Sequence, residues 1–80
     1  MNQNLQDDAW HALDQYRTGH IADPYDALDA HRIFAYELML SELATLDECR
    51  EVERALVAAL NAATRQRAEQ SINDTLPKEL

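Results

Sequence analysis

Ile33-Phe34-Ala35-Tyr36-Glu37-Leu38-Met39-Leu40-Ser41-Glu42-Leu43-Ala44-Thr45-Leu46-Asp47-Glu48 is the stretch on which the fold turns. Seven of its first eight residues are apolar, so in a helix they point to every side, and such a helix has to be covered on every side. Thr45 and Glu48 have the spacing of a capping box, in which hydroxyl and carboxylate each satisfy the other's backbone N–H. One helix is therefore expected to end before Thr45 and another to begin at Leu46. Neither glycine nor proline enforces the break. A fused rod would need a second chain to cover its apolar face, whereas a broken one folds back as an antiparallel hairpin and encloses a core within one chain. The broken form is the expectation.

Upstream, Asp23-Pro24 is a start signal: the carboxylate can accept from orphan amides, and proline at the first helical position has no N–H to waste. The second helix then spans about 24–44. Before it, Leu5, Ala9, Leu13 and Tyr16 recur at helical spacing, which predicts a first helix over about 5–18 with Asn4 as cap. Asp7 and Asp8 in its first turn and Arg17 in its last would suit the helix dipole. Gly19, the only glycine, is the natural left-handed residue to close it. Trp10 adds a large ring beside the stripe.

Downstream, Cys49, Val52, Leu56, Ala59, Leu60 and Ala63 form one apolar face of a third helix expected over about 46–71. Alanines 55, 58, 59, 62 and 63 keep that helix thin, so a neighbour can approach closely. Residues 72–80 mix turn formers with Pro77 and read as a frayed or docked tail. The expected architecture is an all-α three-helix bundle, one domain over 1–80, with dimerisation open. A chain of this length buries only about 60% of its unfolded surface, so its stability margin is thin.

Composition narrows the function. Alanine, leucine, glutamate, arginine and glutamine dominate, all of them helix formers. Fifteen acids against seven bases give a net charge of −8, a field that repels phosphate backbones and anionic lipid. Direct binding to nucleic acid or to a membrane surface is disfavoured. A DNA-reading helix beginning Leu46-Asp47-Glu48 would present acids to phosphate. The polar opening Met1-Asn2-Gln3-Asn4 lacks the pattern of a secretory signal, and no apolar run reaches the roughly 20 residues that span a bilayer. A single cysteine closes no internal disulfide. Cytoplasmic localisation is the expectation.

Chemistry-bearing patterns are sparse. Asp8-Ala9-Trp10-His11 comes nearest to the paired Glu-x-x-His sites of metal-binding bundles, and it lacks a second copy. His20 is placed in a loop, with His11 and His31 on helix flanks beside Asp8 and Asp29 or in water. Cys49 sits on an apolar stripe beside Asp47 and Glu48, surroundings that suppress thiolate. No phosphate-binding loop, CxxC pair or local nucleophile signature is present. The expectation is no enzyme, no metal and no cofactor.

Acids are the stronger signal. Residues 1–44 hold eight acids and two arginines, a balance of −6, while residues 45–80 hold seven acids and five bases, a balance of −2. Asp7, Asp8, Asp14, Asp23, Asp26 and Asp29 would steer a basic surface toward the protein, with Trp10, Tyr25, Phe34 and Tyr36 anchoring the contact. The leading expectation is a small acidic regulator or inhibitor that binds a basic partner, such as a nucleic-acid-binding protein whose site it blocks. Small acidic inhibitors carried by phages and plasmids share this size and charge, an analogy of class without a shared motif. The alternative is a self-associating structural or scaffolding protein that forms a homodimer through Phe34, Tyr36, Leu38 and Met39.

Overall fold

Three helices form in the computed structural model, which describes residues 2–75 and the side chains of residues 2–70: α1 (Gln3–Arg17), α2 (Pro24–Leu40) and α3 (Leu46–Thr75). Each packs against the other two, giving an all-α three-helix bundle. The registers define its direction. Along α2 and α3, Arg32 pairs with Glu53 and Ala35 with Cys49, so rising numbers on one helix meet falling numbers on the other, and the two form an antiparallel hairpin. Trp10 shares a groove with Val52 and Leu56, and Tyr16 meets Thr64, so α1 runs parallel to α3.

The break at Thr45 is present, with its capping box formed. Glu48 Oε1 accepts from the Thr45 N–H at 2.9 Å, and the Glu48 N–H donates to Thr45 Oγ1 at 3.2 Å. The hydrogen bond from the Thr45 backbone holds the Glu48 carboxyl below its ordinary range. Asp23 caps α2 as expected, accepting from the Tyr25 N–H at 2.8 Å with Pro24 in the first position. Gly19 closes α1 at φ +85°, the left-handed conformation a Cβ disfavours.

Three boundaries differ from those read off the sequence. α1 starts at Gln3, not near Leu5, and its cap is Asn2, whose Oδ1 accepts from the Asn4 and Leu5 amides. Asn2 is fixed from the other side, since its Nδ2 donates to the Leu43 carbonyl at 2.9 Å. This earlier start moves Asp7 and Asp8 out of the first turn, so the dipole argument does not apply to them. α2 ends at Leu40, four residues short of Ala44, because Glu42 turns left-handed at φ +60°. The Leu43 N–H then bonds the Leu38 carbonyl at 2.8 Å and the Glu42 N–H bonds the Met39 carbonyl at 3.1 Å, a Schellman ending. α3 continues through Thr75, because nothing from Ser71 to Thr75 breaks a helix and the first proline is Pro77. The remainder of the expected tail, residues 76–80, lies outside the described residues.

The core follows the expected stripes on α1 and α3. Leu5, Ala9, Leu13 and Tyr16 are buried, as are Cys49, Val52, Leu56, Leu60 and Ala63, with Ala59 half-buried against them. α2 behaves differently. Its buried residues are Ala27, Leu28, His31 and Ala35, with Leu38 and Met39 half-buried against the core. The two alanines allow close approach, and Tyr25, Ile33, Tyr36 and Leu40 are left exposed.

Candidate functional site

Ile33, Tyr36 and Leu40 follow one another at spacings of three and four and so line one face of α2. Ala35 and Leu28 face the core, and this stripe lies on the far side of the helix: Ile33 is 64% exposed, Tyr36 59% and Leu40 67%. Leu43 and Leu46, also exposed, continue the apolar surface over the α2–α3 turn. Asp26, Asp29 and Glu37 stand exposed on the same outer side and form an acidic border. Arg32 interrupts it, held by Glu53 across the helix pair and lying 3.8 Å from Asp29.

Beside this strip, α2 and α3 leave a groove of about 270 Å³. Ala35, Met39, Leu46 and Cys49 give it apolar walls, Tyr36, Arg50 and the Arg32–Glu53 pair stand on it, and the buried His31 lies at its edge. His31 is 1% exposed, and its Nδ1 lies 2.9 Å from Asp8 Oδ2 on α1. A carboxylate oxygen only accepts, so Nδ1 donates and in the neutral ring Nε2 is an acceptor. Nε2 is buried and has no hydrogen-bond partner among the described residues. The expected flank position for His31 is thus corrected: three residues after Leu28 and four before Ala35, it lies on the buried stripe.

Other concavities offer less. One of about 450 Å³ lies between the end of α1 and α3 around Arg17, Gln66 and Arg67, and all three side chains are solvent-exposed. Arg67 stacks over the Tyr16 ring, 5.0 Å from its centroid. Cys49 is buried with its Sγ 3.8 Å from the Ala35 carbonyl, and burial, then Glu48 and Glu53, push its thiol pKa up. Thiolate chemistry at neutral pH is disfavoured there. Among the described residues no three His, Cys, Asp or Glu side chains converge as metal ligands, and no helix is long and apolar enough to cross a membrane.

The candidate acids separate by role. Asp8 holds His31, and Asp23 caps α2. Asp7, bonded to Gln3, and Asp14 are exposed on α1, while Asp26 and Asp29 are exposed on α2. The aromatics separate too. Trp10 is exposed beside Val52 and Leu56, and Tyr25, also exposed, lies by Leu28 and Val57 at the start of α2. Phe34 is half-buried, and only Tyr36 of the four stands in the exposed strip next to the His31 groove. Of the residues expected to self-associate, Tyr36 is exposed, whereas Phe34, Leu38 and Met39 are half-buried, the last two against the core. Ile33, Leu40, Leu43 and Leu46 were not among the candidates. The spacing of Ile33, Tyr36 and Leu40 was the available signal, but it did not say which face of α2 turns inward.

The fold and its grooves define the class, a small all-α three-helix bundle with an acid-bordered apolar helix face. No protein-family model matches the chain, and comparison with curated proteins and with solved structures likewise yields no match.

Proposed function

We propose that the protein is a non-enzymatic cytoplasmic regulator or inhibitor that binds a basic partner protein through the outer face of α2. One observation carries this reading: the exposed apolar strip Ile33–Tyr36–Leu40 is bordered along one side and at its N-terminal end by the exposed carboxylates of Asp26, Asp29 and Glu37. Apolar and aromatic side chains in the middle of such a surface supply binding energy once water is excluded. The surrounding acids steer a positively charged surface and set its orientation. A nucleic-acid-binding protein, whose own site is basic, has the matching chemistry, and covering that site would inhibit it.

Self-association through the same strip is the second reading, supported by its exposed leucines. Against it stands the charge. Two copies facing through α2 would bring two acidic borders together, and the net charge of −8 adds to the repulsion.

The test is affinity capture from the source cells with the protein as bait. The expected outcome is a basic partner that rising salt releases, with retention lowered about tenfold or more by Ile33→Asp or Tyr36→Ala. Asp26→Lys combined with Asp29→Lys should mainly slow association. Capture that ignores salt and all four substitutions would place any partner elsewhere on the protein.

A further inference from the structure

We propose that one amphipathic helix of the partner lies along the outer seam between α2 and α3 as a fourth helix, seating an apolar side chain in each of two hollows. This occupant presupposes the docking reading of α2 and specifies the form of the partner's contacting element. Beyond the groove of about 270 Å³, the same seam holds a second hollow of about 200 Å³, walled by Leu28 and Val57 with Tyr25 on its rim. Both are lined from α2 and α3 alone among the described residues. In chain order on both helices, the Arg32–Glu53 pair falls between them and bridges the seam.

The two hollows repeat each other at a spacing of eleven residues. On α2, Tyr25 and Leu28 recur as Tyr36 and Met39, and on α3 Leu46 recurs as Val57. Eleven residues make about three helical turns, so the hollows lie about 16 Å apart and open in the same direction. A ligand helix laid along the seam has the same rise and brings its own residues i and i+11 back to one face. An extended strand covers that distance in about five residues, an odd number, which turns its second side chain away from the seam. Tyr25 and Tyr36 are 74% and 59% exposed, so each hollow has a ring that the bundle itself leaves open to a ligand. The edges differ in sign: Asp29 stands exposed on the α2 side, and Arg50 and Arg54 stand exposed on the α3 side. The matching helix carries bases along one edge, acids along the other and a polar residue midway, over the Arg32–Glu53 pair.

The probe is a synthetic alanine-rich helical peptide with leucines eleven residues apart, glutamine between them, lysines along one edge and glutamates along the other. The full chain is titrated with it while NMR follows the methyl groups of Leu28 and Val57 in one hollow and of Met39 and Leu46 in the other. Both sets should shift with a single Kd. Tyr25→Ala and Tyr36→Ala, each at an exposed position, should each weaken the response of both sets by about tenfold, because one ligand spans the two hollows. A proline placed midway in the peptide breaks its helix and should abolish the response. Separate Kd values for the two sets, shifts in one set alone, no saturable shift at all, or undiminished binding of the proline-bearing peptide would each overturn the proposal. Shifts in the free protein that grow with its concentration would overturn it too, by putting a second copy in the seam. Failure of the peptide beside salt-sensitive capture that Ile33→Asp abolishes removes the helix from the seam and keeps the docking face. Peptide binding without such capture keeps a helix-binding seam and removes the docking face.

Discussion

His31 shows how a single side chain ties the helices together. Its ring is buried in the bundle and bonds Asp8 across to α1, 23 positions away. His31→Ala should lower unfolding free energy by about 3 kcal/mol, combining the cavity with the lost hydrogen bond. Urea denaturation measures this, and a loss under about 1 kcal/mol would show that the pair is not part of the packed interior. The sequence did not hold this information. Leu28, His31 and Ala35 share a helical stripe, but on a helix apolar on all sides nothing marks that stripe as the inward one, and a contact between two distant, individually ordinary residues leaves no local pattern. Cys49 was legible for the opposite reason, since its apolar neighbours and adjacent acids are all close in sequence.

At the scale of the element, helix starts were clearer than helix ends. Asp23-Pro24 and Thr45-Leu46-Asp47-Glu48 carry their capping atoms within four residues, so their chemistry could be read directly. The end of α2 could not. A Schellman ending usually advertises itself with glycine, and here the left-handed position is Glu42. A side chain at positive φ costs about 1 kcal/mol, which the two closing hydrogen bonds and the capping box after it offset. Glu42→Gly should therefore raise stability by about 0.5–1 kcal/mol, seen as a gain of several degrees in Tm. An unchanged or lower Tm would mean that the Glu42 side chain makes a contribution exceeding its backbone strain. Asn2 as the cap of α1 was missed because Asn4, two residues on, had the same side chain and stood nearer the first apolar residue.

For the molecule as a whole, the distribution of apolar surface matters more than its amount. α2 places Ala27, Leu28, His31 and Ala35 inward and keeps Ile33, Tyr36 and Leu40 outside. A bundle that needed those side chains for stability would have turned them inward, so their substitution should leave the fold intact. Acids on the same face make self-association the weaker use for them. Sedimentation at high micromolar concentration should find a monomer. A dimer that Leu40→Asp separates would instead reinstate association between copies.

Read alone, the sequence determined three helices, the break at Thr45, the inward stripes of α1 and α3 and the acidic balance. Each of these is set by residues within a turn or two of one another, through capping atoms or the 3.6-residue period. Only the tertiary structure decided which side of α2 is covered, that His31 reaches Asp8, and that Tyr36 rather than Trp10 or Phe34 stands at the exposed strip. A helix apolar on all sides has amplitude without phase: its pattern says that it will be packed and leaves the direction to the neighbours that dock on it.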